Sequence, residues 1–121
     1  MERKFDLDER LIAFASNCID ITENLPKTFA GNHIASQLVR SSTSPALHYG
    51  EAQAAESKND FVHKMKVCLK ELRETFNCLR LIQIKNWYDG IKLEVVLKEN
   101  NELISIFVSS VKTAQQKRNS Q

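Results

Sequence analysis

The chain has 121 residues, of which 42% are hydrophobic and 26% charged, with only three Gly and two Pro. This composition predicts one globular domain over residues 1–121 and excludes disordered, collagen-like and low-complexity classes. Three Cys without a Cys-x-x-Cys pair argue against a disulfide framework and a zinc ribbon. No apolar run approaches the roughly 20 residues of a membrane span, and the N-terminus is charged, so we expect a cytoplasmic protein without membrane contact.

A first helix is predicted over about residues 8–24. Its apolar residues recur at alternating spacings of four and three, which is typical of packing between nearly parallel helices. Asp6 or Asp8 can cap its start, and Pro26 follows its end. The apolar stripe comprises Leu7, Leu11, Phe14, Cys18, Ile21 and Leu25.

The second segment, about residues 30–56, carries two conflicting signals. Apolar and small residues recur at helical spacing, but the run Ser41-Ser42-Thr43-Ser44-Pro45 is typical of a loop. The pattern alone therefore allows either one kinked helix or two short helices.

The third and fourth helices are predicted over about residues 58–85 and 90–116. Ser57 begins a sequence that resembles a capping box. Asn100 lies within the apolar stripe of the fourth helix, where a polar side chain needs a partner or a water. The core stripe of the third helix comprises Phe61, Met65, Cys68, Leu72, Phe76 and Leu79.

Four amphipathic segments joined by short connections predict an all-α, up-down-up-down four-helix bundle. No strand pattern or hairpin turn competes with this interpretation.

Motifs that carry chemistry are weak or missing in the sequence. Asp60-Phe61-Val62-His63 has the spacing of a ferritin-like Glu-x-x-His pair but the wrong acid. The cysteines fall in helical patterns and are interpreted as small buried hydrophobic residues. The three Gly are isolated, so there is no phosphate-binding loop. We therefore predict no catalytic residues, no metal and no cofactor.

Charge is distributed unevenly along the chain. Residues 1–24 carry three basic and six acidic residues, whereas residues 57–85 carry seven basic and three acidic residues. Five of the basic residues share an arc of about 120° on the third helix, an arrangement that phosphate binding requires: Lys58, Lys66, Lys70, Arg73 and Arg80. The alternative is a solvated face, or one paired with the acidic first helix of a neighbour. The candidate nucleic-acid-binding residues are Arg40, Lys66, Lys70, Arg73 and Arg80.

A second set of apolar residues lies off the core stripes of the first and third helices. On a helical wheel this set forms a separate apolar edge on each helix, which predicts a lateral interface between subunits. The alternative is a wide core stripe. The candidate interface residues are Ile12, Ile19, Val67, Cys78 and Leu81.

Two stretches carry a resemblance to a known family. Gln37-Leu38-Val39-Arg40, leading to Pro45-Ala46, and Asp60-Phe61, followed by Leu69-Lys70-Glu71-Leu72, are both similar to its sequence pattern. This is the four-helix-bundle family named for proteins encoded in intervening sequences of 23S ribosomal RNA genes. The resemblance covers about residues 5–111.

The resemblance implies one continuous second helix, kinked at Pro45, and a homopentameric ring. Relatives include an accessory protein of diversity-generating retroelements, a basic pentamer that engages nucleic acid and a reverse transcriptase. The chain departs from the family after Ala46, where Leu47-His48-Tyr49-Gly50-Glu51 replaces the usual Asn-Ile-Ala-Glu-Gly.

Three hypotheses on function follow. The first is a non-enzymatic oligomeric protein that binds RNA or DNA as a scaffolding or accessory component. The second is a protein–protein adaptor with no role in nucleic-acid binding. The third, for which the sequence offers least support, is a bundle enzyme or metal protein.

Overall fold

The computed structural model describes residues 6–119, which form four helices and no strand. The all-α four-helix fold is confirmed. α3 has the predicted bounds, α4 begins at the predicted residue, and the remaining helix ends differ from the predicted ones by one to three residues. The helices are α1 (Leu7–Thr22), α2 (Phe29–Gln53), α3 (Lys58–Lys85) and α4 (Gly90–Asn119).

Each helix begins at a side chain that caps it. An oxygen of the capping residue accepts a hydrogen bond from the backbone N–H three residues further on, which satisfies a donor that has no partner within the helix. The caps and their N–O distances are Asp6 (3.2 Å), Thr28 (3.0 Å), Ser57 (3.0 Å) and Asp89 (2.9 Å).

The helices pack as a bundle in which consecutive helices are antiparallel. Along α3 and α4, Gln83 contacts Glu94 and Leu72 contacts Asn100, so residue numbers rise on one helix as they fall on the other. Each helix also packs on its neighbours in the chain, and α1 packs on α4, the least extensive of these contacts. α1 and α3 therefore occupy diagonal corners of the bundle.

The core follows the predicted apolar stripes with two exceptions on α3. Leu72 and Leu79 are fully buried, as is Phe107, whose ring lies 5.9 Å from that of Tyr49. Phe61 and Phe76 are only half-buried, because each lines a surface groove beside the core.

α2 is continuous through Pro45, which settles the choice between one helix and two. Proline has no N–H, so the carbonyl of Ser41 loses its donor within the helix. Near this site the Thr43 hydroxyl donates a hydrogen bond to the carbonyl of Val39, one turn earlier on α2, at 2.7 Å. Burial of Pro45 and Ser42 against the other helices outweighs the loop-like local sequence.

Buried polar side chains link α2, α3 and α4 in the middle of the bundle. The hydroxyls of Thr75 and Ser41 lie 2.8 Å apart, and Thr75 also donates to the carbonyl of Glu71 at 2.9 Å. Because the Thr75 hydroxyl has one hydrogen, Ser41 is the donor between the two hydroxyls. Asn100 donates from Nδ2 to the carbonyl of Leu72 at 3.2 Å.

Within residues 6–119, two buried oxygens, Ser42 Oγ and Asn100 Oδ1, have no nitrogen or oxygen as a hydrogen-bond partner. Ser42 lies seven residues before Tyr49 on α2, and Asn100 lies seven residues before Phe107 on α4. Seven residues are nearly two helical turns, so both side chains face the bundle centre at one level, about 10.5 Å from the ring contact. The two oxygens are not hydrogen-bonded to each other, and the Ser42 side chain instead interacts with the Cys18 thiol of α1.

The connection between α1 and α2 folds back closely on the first turn of α2. A Cβ atom at Gly31 would lie 2.0 Å from the carbonyl oxygen of Pro26. Only glycine fits at this position without a shift of the backbone.

The part of the chain described, residues 6–119, contains no helix that combines the length and the apolarity of a membrane span.

Replacing Gly31 by Ala is expected to destabilise the fold by about 1–3 kcal/mol, because the added methyl group collides with backbone. Gly50→Ala is the matched control, since a Cβ atom there meets nothing within 4 Å. Removing a glycine from a helix interior should stabilise α2 by up to about 1 kcal/mol. Urea unfolding followed by circular dichroism measures the free energy of unfolding of both variants. Equal changes in the two would contradict the close approach of Gly31 to the Pro26 carbonyl.

Substitution of Asn100 should depend strongly on the polarity of the new side chain. Asn100→Leu is expected to cost less than about 1 kcal/mol, whereas Asn100→Asp should cost about 3 kcal/mol or more at pH 7 because it buries a charge. Burial raises the pKa of such a carboxyl, so its penalty is absent below the unfolded pKa and appears as pH rises. Unfolding curves at pH 4 and pH 7 test this, and equal losses for both variants at pH 7 would refute it.

Candidate nucleic-acid interface

Four basic side chains form a straight line along the outward face of α3. They are spaced by four, three and seven residues, so they remain on one side of the helix over about 21 Å. All four are exposed. These residues, which we call the basic row, are Lys66, Lys70, Arg73 and Arg80.

The opposite side of α3 explains why the basic row faces outward. Met65, Leu72 and Leu79 are almost completely buried and lie at helical spacing along the side that packs on α2 and α4. Burial of these side chains determines the rotation of α3 about its axis. The basic row consequently has no freedom to turn toward the protein.

The acidic residues of α3 are all paired with other cations. Asp60 accepts from Lys64 Nζ at 2.9 and 3.0 Å, and this contact lowers the pKa of the Asp60 carboxyl. Glu71 and Glu74 both pair with Arg40. Among residues 6–119, no ion pair involves a member of the basic row. Its charge is therefore available to an external anion.

Arg40 stands apart from the basic row. It lies on α2, where one guanidinium nitrogen is 3.0 Å from Glu71 and another contacts Glu74. Hydrogen bonding to Glu74, and then to Glu71, raises the pKa of Arg40 further above its usual value. The structure thus places Arg40 in a link between α2 and α3, with its charge balanced by two carboxylates.

A groove of about 390 Å³ between α3 and α4 adjoins the end of the basic row. It is lined by Arg80 and by Lys98 of α4, together with Glu94. Lys98 was not among the predicted residues, because only the register between two helices brings it near Arg80.

α1 has an acidic exterior that cannot neutralise the basic row of the same protomer. Asp8, Glu9 and Asp20 are exposed, and α1 lies diagonally opposite α3. The one basic residue of α1, Arg10, contacts Glu99 at 2.5 Å and so joins α1 to α4. The acidic and basic exteriors therefore face in different directions.

Four of the five candidate interface residues lie off the core as predicted. Ile12, Ile19, Val67 and Leu81 are between 36% and 56% exposed, so a wide core stripe does not account for them. Their role in an interface stays a prediction.

Cys78 was wrongly assigned to the exposed set. It is only 6% exposed and belongs to the hydrophobic core. α2 packs on this side of α3, as the contact between Ser41 and Thr75 demonstrates, and covers the thiol. The helical wheel of α3 alone does not reveal how closely α2 approaches.

α2 adds exposed apolar residues that sequence analysis did not identify. Phe29, Val39 and Leu47 are exposed, Phe29 to 92%. Because α2 lies between α1 and α3, these side chains lie between the two apolar edges. The outer sides of α1, α2 and α3 therefore carry exposed apolar side chains together.

The cysteines have the character of buried apolar residues, as predicted. All three are buried, and burial raises the pKa of Cys18 to about 12 and that of Cys68 to about 11. Their thiols stay protonated at neutral pH, which makes them poor nucleophiles.

Another groove, of about 610 Å³, lies at the end of the bundle where α3 begins. Phe61, Lys58 and Ser109 are among its lining residues. Within residues 6–119, no three His, Cys, Asp or Glu side chains are grouped so that they could hold a metal ion.

Comparison with known proteins supports the resemblance seen in the sequence. A crystal structure at 1.70 Å of a protein with unknown function, from the S23 ribosomal protein family of Bacteroides thetaiotaomicron VPI-5482, has a TM-score of 0.81 to this chain. The two share 24% identity, and the match covers 88% of this chain and 99% of that one, which shows a common fold. No curated protein matches the chain. Residues 3–109 match the family described as 23S rRNA-intervening sequence protein, and the chain therefore belongs to that family.

Proposed function

We propose that this protein is a cytoplasmic, non-catalytic scaffolding protein that binds RNA or DNA through the basic row of α3 and acts as a homopentameric ring. One observation carries the proposal. The four cations of the basic row have no ionic partner in the described chain, while every acidic residue of α3 has one. Three buried free thiols agree with a reducing compartment.

Phosphate binding by such a row is governed by the release of counterions. Each phosphate that a Lys or Arg neutralises contributes about 0.9 to the slope of log K against log salt. One protomer with four contacts would give a slope of about −3.6 by this rule. The net charge of +2 is small, so binding depends on where the charges lie and on the number of protomers engaged.

The apolar edges support assembly. In a heterologous contact, the edge of α1 on one copy meets the edge of α3 on the next, and repetition of that contact closes a ring. Ile12 and Ile19 would pack against Val67 and Leu81, and burial of these side chains would drive association. The subunit number of five rests on the resemblance to the family.

The competing function is a protein adaptor without nucleic acid. Its support is the acidic exterior of α1, which has no cationic partner across the diagonal of its own protomer but could pair with the basic row of another copy. Nucleic-acid binding and such pairing would compete for the same four side chains.

Binding to a mixed-sequence RNA with paired and unpaired segments should be measurable at about 50 mM salt and should weaken steeply toward 200 mM. Arg73→Ala with Arg80→Ala should reduce the slope by about 1.8 for each protomer in contact, since two phosphate contacts are lost. Gel-shift titrations at several salt concentrations measure the slope of log K against log salt for the unmodified chain and for the double variant.

The matched control for this experiment is Lys27→Ala with Lys92→Ala, which removes the same charge from positions outside α3. Its slope should equal that of the unmodified chain. If the unmodified protein does not bind the RNA at low salt, nucleic-acid binding is ruled out and the adaptor function is favoured instead.

Light scattering should give a mass near five times the 13.9 kDa of one chain. Ile19→Glu with Leu81→Glu should produce smaller species, because both apolar edges then carry an unpaired charge. Ile91→Glu, at an exposed residue of α4 outside these edges, should leave the mass unchanged. A monomer at micromolar concentration would rule out the ring.

A further inference from the structure

We infer that the basic row binds the backbone of a nucleic-acid duplex in preference to a single strand. This inference rests on the proposed function and specifies its ligand. It depends on three features of α3: the straightness of the row, its rigid support and the chemistry of the side chains beside it.

The spacing of the row suits a stiff polyanion. At a rise of 1.5 Å per residue, Lys66, Lys70 and Arg73 follow one another at about 6 and 4.5 Å, and Arg80 lies about 10.5 Å further on. A duplex carries one phosphate charge per about 1.7 Å of axis and stays straight over far longer distances than the row. Several phosphates can therefore face these cations without a change in the shape of the duplex.

The support of the row is rigid along its whole length. Met65, Leu72 and Leu79 anchor α3 from the level of the first cation to that of the last. A single strand would have to give up conformational freedom to match this fixed line, whereas a duplex is ordered in advance.

Along residues 58–85, the face that bears the row has no Phe, Tyr or Trp side chain on which an unpaired base could stack, and its one ring is the imidazole of His63, beside the first cation. Its exposed neighbours on α3 are His63, Asn77, Leu81 and Ile84. The aromatic residues of α3, Phe61 and Phe76, are half-buried in grooves to the side. Proteins that bind single strands combine a basic groove with aromatic platforms, and only the basic part exists here. The bases of a duplex stay stacked on one another and need no such platform.

One position on the line of the basic row is occupied by an uncharged residue. Adding a cation there should strengthen binding, which provides a test of the inference. Asn77 lies on the same line, four residues after Arg73 and three before Arg80, and its side chain is exposed. A lysine at this position would complete a regular line of five cations. Asn32, exposed on the first turns of α2, is a site where the same charge would lie off the line.

The experiment compares a 21-nucleotide RNA with the same strand annealed to its complement, using fluorescence anisotropy at about 50 mM salt. The full chain should bind the duplex at least about fivefold more tightly, and a DNA duplex of the same sequence should bind comparably because the row contacts phosphates. Equal or tighter binding of the single strand would overturn the inference while leaving the proposed function intact. Failure to bind any of the three would instead remove the proposed function.

Asn77→Lys should tighten duplex binding and steepen the salt dependence by about 0.9 for each protomer in contact. Asn32→Lys has the same net charge, but it should change the affinity for the duplex and the salt dependence of binding only slightly. An equal gain for both variants, or a gain confined to the single strand, would show that total charge and not the line of the row decides binding.

Discussion

Burial of one side of α3 is the constraint on which the rest of the structure depends. Leu72 and Leu79 are fully buried between the neighbouring helices, and this contact sets the rotation of α3 about its axis. Every other property of α3 follows from that rotation. The acidic flank meets α2, the grooves open toward α4, and the basic row faces away from the protein.

Ion pairing then distinguishes the acidic residues of α3, which have cationic partners, from the basic row, which has none among residues 6–119. Arg40 uses both ends of its guanidinium on Glu71 and Glu74, and Lys64 balances Asp60. Exposed pairs of this kind contribute little to stability. Their larger effect is on the surface field, because they remove the negative charge that would otherwise offset the basic row.

The polar centre of the bundle has a different physical role from the apolar core around it. Ser41, Thr75 and Asn100 form hydrogen bonds with one another or with the backbone of α3, which satisfies polar groups that burial would otherwise leave unpaired. Buried polar contacts add little net stability, but they penalise any shift in helix register, since a shifted partner would remain unpaired. They therefore favour the alignment that keeps the basic row straight against the core.

The periodicity of apolar residues by itself determined the number of helices, their approximate bounds and the off-core positions of Ile12 and Leu81, because these follow from the geometry of one helix. Only the tertiary structure decided the burial of Cys78, the pairing of Arg40 and the approach of Lys98 to Arg80. Each of these depends on the distance and register between two helices, and the pattern within either helix carries no information on them. The continuity of α2 through Pro45 belongs to the same class, since burial by neighbouring helices outweighs a loop-like local sequence.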